Sequence, residues 1–543
     1  MKKSLWDRFT GSRGAWLLFA AVLAVQLVCL FWMSAQKQEF HIDEIYSYIL
    51  SNGYEYDRVS NREEVWNTWI RGSDLESFVT VDRGEQFAYG RVYRNNALDA
   101  HPPLYYFLFH TLCSFFPGVF SKWFGLGLNI FLFALSQTAL FVLSKRILGD
   151  NPWAVVPAAI LGGTRLGLDG VLFMRMYALL TLLTVLLLLL HHRMLSREKP
   201  WDPAACFALT FLGVFTHYYF AIPAFFLAAF FCLRYWMKHQ WKRLALYAAA
   251  MLAGVVCVFL VYPAALLQIT GSPTNNVGNS VFGDLLKLDN TLTSIEYIGW
   301  FVLVGIFGSL GYSLPLTGPA ALLTCLLAVK KPRQKDGAWK PDPRLFLMGL
   351  GLLLLSFLVI CHISNYFTFV RYVYHLVPLL ALVSGYGLRW LAARLKCNGR
   401  GLCLGFLCLC LVTCVAMAAR GDSEYMLEEY APTNARVQAL SQDRPLLLVG
   451  RRRETFFPTT NFQVLCGSSR LFMNDTADPA DIAAALEDVD TEEGVVFLLL
   501  TDKVWTDGLD GPQAMAAIVA ACPQLSSFQK LGDCVYGMYY LAQ

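Results

Sequence analysis

Two short stretches combine histidine with carboxylates in an otherwise apolar chain: His41-Ile42-Asp43-Glu44 and Asp99-Ala100-His101-Pro102-Pro103. A carboxylate can take the proton of a hydroxyl as that oxygen attacks an electrophile, and one well-placed general base contributes about 10² to 10⁴ in rate. Asp43 is the candidate base, with Glu44 as its neighbour. The same two residues also suit a helix cap or a solvated acidic pair at a membrane interface. In the second stretch a double proline fixes the entry of an apolar helix that opens Leu104-Tyr105-Tyr106. That break parks His101, beside Asp99 and Tyr105, at a helix start that can attract phosphate. A rigid helix start with interfacial aromatics accounts for the same residues.

Further polar outliers interrupt apolar runs: Asp169, Arg175 and Tyr177; His217-Tyr218-Tyr219; and Arg371-Tyr372. A charge at membrane depth costs roughly 2.5 to 3.5 kcal/mol on insertion scales, so it is usually paired or lines a wet cavity. Each outlier taken alone is also explained by a side chain reaching out to the headgroups. Taken together on one face, two His, two Arg and a carboxylate suit an anionic lipid donor and a hydroxyl acceptor.

The elements that must position them are membrane helices. The 543 residues are 56% hydrophobic and 15% charged, with mean hydropathy +0.45, which puts the chain in the membrane class. A formal charge of +4 gives no nucleic-acid signal. The first apolar run, residues 15–34, follows Lys2, Lys3, Arg8 and Arg13, has no small-x-small cleavage site, and reads as a retained anchor. Further spans are expected from near Trp123, Pro152, Leu172, Pro203, Phe220, Leu244, Pro315, Leu345, Tyr372 and Gly401, with residues 101–116 and 294–312 as ambiguous extras. The sequence thus predicts about 11 to 13 transmembrane helices.

With the N-terminus cytoplasmic, basic residues such as Lys145, Arg146, Arg193, Arg197, Arg234, Lys238, Arg389 and Arg394 collect in the inner loops, as the positive-inside rule asks. Asp43, His101, Arg175, His217 and Arg371 then share the outer face. The expected organisation is an anchor (1–36), a first extracytoplasmic loop (37–121), a multi-helix region (122–419) and an extracytoplasmic α/β domain (420–543). In that tail, strand-like runs at 445–450 and 495–501 alternate with helical patterns at 479–486 and 512–521, followed by a final run at 534–541. Most of the 15 cysteines lie in or beside apolar runs without ligand spacing. Cys466, Cys522 and Cys534 lie in the tail, where an oxidising compartment would permit a disulfide.

The acidic pair, His101-Pro-Pro-Leu-Tyr-Tyr, Arg175-Met-Tyr-Ala-Leu-Leu, Thr216-His-Tyr-Tyr and Arg371-Tyr before a helix containing Pro378 come in an order that resembles the GT-C superfamily of membrane glycosyltransferases. They are most similar to bacterial members of glycosyltransferase family 39, relatives of protein O-mannosyltransferases and lipid A aminoarabinose transferases. The resemblance covers roughly residues 15–420. It implies a sugar donor on a polyprenyl phosphate carrier and transfer with inversion to a hydroxyl on a protein, lipid or cell-envelope glycan. Asp43 is then the base, and His101, Arg175, His217 and Arg371 the contacts to donor phosphate and lipid, with Asp99, Tyr105, Tyr177, Tyr218 and Tyr372 as further candidates. A monophosphate leaving group held by cationic side chains requires no cofactor, though Asp43, Glu44 and Asp99 leave room for a divalent cation. The alternative is a lipid or polysaccharide transporter or flippase without glycosyl transfer, for which internal repeats and broken midplane helices would be the mark.

Overall fold

A computed structural model describes residues 11–53, 63–270, 314–329, 339, 341–364, 370–450, 461–500, 510–535 and 537–543. The chain is a polytopic α-helical membrane protein with a small C-terminal α/β sheet. It divides into two compact units. One comprises Met1–Gln36, Ala97–Tyr105 and Gly125–Glu424; the other comprises Lys37–Asn96, Tyr106–Phe124 and Tyr425–Gln543.

The first unit is built on spanning helices. Among the described residues, eight are long and apolar enough to cross a bilayer: Ser12–Gln36, Lys122–Leu148, Tyr177–Ser196, Tyr218–Met237, Trp241–Val261, Pro343–Ser364, Val370–Arg394 and Gly399–Arg420. A ninth is reached if Pro152–Gly162 and Arg165–Leu172, bent by 60° at their junction, count as one span. The expected span near Pro203 forms helix Asp202–Val214, short of the roughly 17 to 25 residues that 30 Å of hydrocarbon requires, and the one near Pro315 falls in helix Leu314–Val329, which borders residues outside the described ones. The ambiguous run at 101–116 forms Leu104–Ser114, 11 residues and too short to cross, and 294–312 lies outside the described residues. The last span closes on Gly421, whose φ of 65° is the left-handed conformation that glycine adopts without a Cβ clash.

The second unit is a six-stranded sheet in the order β1-β3-β2-β4-β6-β5. Its strands are β1 (Trp69–Ile70), β2 (Leu446–Val449), β3 (Leu471–Asn474), β4 (Val495–Leu500), β5 (Phe528–Cys534) and β6 (Gly537–Ala542). β3, β2 and β4 run parallel, and every residue of β2 and β3 is buried, as expected for strands covered on both faces. Ile482 and Leu486 of helix Pro479–Leu486, with Met515 and Ile518 of helix Gly511–Ala521, pack on Leu447, Phe497 and Leu499. The expected strands and both expected helices of the tail form. The sequence patterns did not reveal β3, β5 or β1, and β1 comes from the first loop and pairs antiparallel with β3. Most of the loop, but not Ala97–Tyr105, therefore forms one unit with the tail. Cys466, Cys522 and Cys534 all carry free thiols.

Candidate functional site

In the membrane unit the polar outliers gather around His101. Its Nδ1 lies 2.9 Å from Asp99 Oδ2, while the Arg175 guanidinium, 4% exposed, reaches within 3.4 Å of its Nε2. Burial works to raise the Asp99 carboxyl. The hydrogen bond from His101 and the positive potential of His101 and Arg175 outweigh it and hold the carboxyl below its usual range. Asp99 is thereby an ionised partner that aims the imidazole. Its backbone carbonyl accepts 2.7 Å from Gln268 Nε2, which also lies 3.0 Å from the Tyr262 hydroxyl. Tyr262 donates in turn to the His101 carbonyl at 3.3 Å, and Tyr218 donates to Gln268 Oε1.

Aromatic rings surround this network. His217 lies 6.0 Å from His101 and 5.8 Å from Tyr177, centroid to centroid, and packs on Tyr219 and Tyr372. Its Nδ1 accepts from the backbone N–H of Tyr219 at 3.1 Å. Burial first, then the positive potential of His101, His375 and Arg175, depresses its pKa well below the ordinary histidine value. His217 is therefore a neutral imidazole with its proton on Nε2, a hydrogen-bond donor without charge. The Arg371 guanidinium sits 5.6 Å from the Phe173 ring and 5.7 Å from the Tyr372 ring, distances at which cation–π attraction holds it. The turn carrying Phe173 and Arg175 is fixed by Asn129, whose Nδ2 donates to the Val171 and Phe173 carbonyls at 3.0 and 2.8 Å and whose Oδ1 accepts from Tyr105 at 3.1 Å.

His101, Arg175, His217 and Arg371, with Asp99, Tyr105, Tyr177, Tyr218 and Tyr372, thus share one neighbourhood of unit one. Two guanidiniums and a neutral N–H donor, with a carboxylate already engaged by His101, suit a phosphate monoester. Asn129, Tyr262 and Gln268 were missed by sequence reasoning. An amide inside an apolar run was the available signal for Asn129; nothing local marked the other two. Of the outlying residues, Asp169 is buried against Arg165 at 3.5 Å and Ser423 Oγ at 2.5 Å, and Arg165 also lies 3.8 Å from Asp422. Those two serve a separate ion-pair network.

Asp43 and Glu44 belong to the other unit, in the first turn of helix Ile42–Asn52. Glu44 closes a capping box on the His41 backbone N–H at 2.7 Å and pairs at 3.0 Å with Lys37, both side chains almost fully buried. Lys37 also donates to the Tyr425 carbonyl. Glu44 is accordingly held as a structural cap. The Asp43 carboxylate, 21% exposed, lies 4.0 Å from a His41 Nδ1 that accepts from the Asp43 backbone N–H. Among the described residues, no group of three or more His, Cys, Asp or Glu is placed to hold a metal.

No family model matches the chain, and no curated protein matches it. Among solved structures the chain is similar to that of ArnT from Cupriavidus metallidurans bound to undecaprenyl phosphate, at 15% identity over 98% of each chain and a TM-score of 0.47.

Proposed function

We propose that this chain is a GT-C-type integral membrane glycosyltransferase that moves a sugar from a polyprenyl-phosphate carrier to a hydroxyl acceptor at the extracytoplasmic face. The observation that carries this reading is the constellation of Arg175, Arg371, His101 and neutral His217 at the ends of apolar helices. A buried guanidinium such as that of Arg175 is costly to keep among apolar helices unless it is paired or lines a wet cavity. In the reaction, the Asp43 carboxylate takes the acceptor proton as the acceptor oxygen bonds to the anomeric carbon from the face opposite the leaving group. The carbon–oxygen bond to phosphate breaks, and polyprenyl phosphate departs with the electron pair. The guanidiniums and the His217 N–H stabilise the charge that grows on its oxygens. Asp99 keeps His101 in place. The order of the motifs along the chain supports the same assignment, and the reading invokes no metal.

The helix pair Pro152–Gly162 and Arg165–Leu172, bent by 60°, is the observation that favours the transporter as a second reading, since broken helices mark transporters. Purified protein incubated with a panel of polyprenyl-phosphate sugars separates the two. Release of free polyprenyl phosphate, dependent on Asp43, is the expected result. Translocation in liposomes without breakage of the donor bond would support the transporter and overturn the transferase.

A further inference from the structure

Within the sheet-containing unit a groove of about 430 Å³ is walled by Glu39, Glu76, Gln438, Gln463 and Phe120. This volume lies in the range of about 300 to 1,000 Å³ typical of small-molecule sites. Glu39 uses one carboxylate oxygen to accept from Asn434 Nδ2 at 2.8 Å. The side chains of Glu76, Gln438 and Gln463 make no hydrogen bond to any described residue, and the half-buried Phe120 ring is held edge-on to Tyr48 and Phe462. Gly467 shapes the floor: a Cβ there would come within 2.6 Å of Gln438 Nε2.

We infer that this groove is a carbohydrate-binding site for a neutral, polyhydroxylated ligand. Carboxylates accept from pairs of neighbouring hydroxyls, carboxamides both donate and accept, and an aromatic ring covers the apolar face of a sugar; the groove presents all three. Two lysines also line the wall, but Lys37 is paired with Glu44 and Lys122 donates to the Lys37 carbonyl, so with two carboxylates beside them the groove offers an anion little. A peptide fits poorly too, since extended peptides bind along strand edges and no strand residue lines the groove. The inference stands whether or not the chain transfers sugar.

The test uses the full-length protein in nanodiscs, probed with an array of neutral di- to tetrasaccharides built from glucose, galactose, mannose and N-acetylglucosamine; the best binder is then titrated by calorimetry. Gln438→Ala and Gln463→Ala should each weaken binding by about three- to tenfold, the loss expected for one hydrogen bond. Gly467→Val, which crowds Gln438, should do the same, and Arg94→Ala, exposed and outside the groove, should leave affinity unchanged. No binding by the wild type, affinity indifferent to the Gln438 and Gln463 variants, or preference for inorganic phosphate or a peptide over every saccharide would each overturn the assignment.

Discussion

Each unit contains a histidine two residues from an aspartate, and the two pairs are used in opposite ways. In Asp99-Ala100-His101 the ring nitrogen bonds the carboxylate directly at 2.9 Å, and Arg175 Nη2 lies 3.5 and 3.4 Å from the ring's Nδ1 and Nε2. In His41-Ile42-Asp43 the ring nitrogen accepts a backbone N–H as an N-cap, and the carboxylate lies 4.0 Å away. Equal composition and spacing thus leave one aspartate hydrogen-bonded to its histidine ring at 2.9 Å and the other 4.0 Å from its histidine nitrogen. Glu44 sharpens the contrast: one residue from Asp43, it is buried in an ion pair and serves the fold.

The largest expected effect breaks the comparison at Asp43. Asp43→Asn should lower single-turnover transfer by about 10² to 10⁴ while leaving donor affinity near wild type, because it removes a base and keeps a shape. Asp99→Asn should act differently, weakening donor binding through a misaimed His101. Equal kinetic signatures for the two variants would erase the distinction.

Next comes the neighbouring carboxylate. Glu44→Gln should cost about 3 to 5 kcal/mol of stability by stranding Lys37 in a buried site, read as a fall in thermal midpoint. Lys37→Met combined with Glu44→Leu should recover much of that loss. A Glu44→Gln protein of normal stability and no activity would instead make Glu44 a chemical participant.

Arg371 should show an intermediate effect. Arg371→Ala should weaken donor binding about 10- to 100-fold, the worth of a charge-assisted hydrogen bond. Arg371→Lys should keep part of the affinity but lose rate, because the planar fork is gone. Arg165 is no silent reference for this comparison, being paired with Asp169 and Asp422; Arg94→Ala serves that purpose.

The smallest effect is on pH dependence, and it compares the units directly. His217 in the first unit is held well below the ordinary histidine pKa, and burial pushes His110 in the second down to about 4. The unfolded chain takes up protons near pH 6.5 that the folded chain refuses. Stability is therefore present above about pH 6.5 and is lost as pH falls, by up to about 1.4 kcal/mol per unit per histidine. Thermal midpoints at pH 7.5 and 5.5 should separate, and His110→Gln should narrow the gap without touching donor affinity.

The neighbourhood of His101, Arg175, His217 and Arg371 was legible because each residue is polar in an apolar run, and intramembrane charge is expensive enough to be informative. Of the tail's buried strands, β2 and β4 were legible as continuous apolar runs, whereas the four-residue β3 was not. β1 was not, since Trp69 and Ile70 make a strand only through pairing with Phe472 and Leu471, about 400 positions away. Nor could spacing distinguish Asp43 from Asp99, because which atom a histidine nitrogen bonds depends on backbone conformation. Gln268 and Tyr262 reach Asp99 and His101 across about 160 residues, and no local pattern carries that information.

If the constellation around His101 holds the donor phosphate, the first isoprene unit of the carrier lies beside it. A polyprenyl phosphate bearing a photoreactive diazirine on its first isoprene unit, cross-linked to the intact protein and mapped by mass spectrometry, tests this most directly. Labels should fall on peptides containing Asp99–His101, Phe173–Tyr177, His217–Tyr219 or Arg371–Tyr372, and should fade when unlabelled polyprenyl phosphate competes. Competable labels confined to other segments would contradict it.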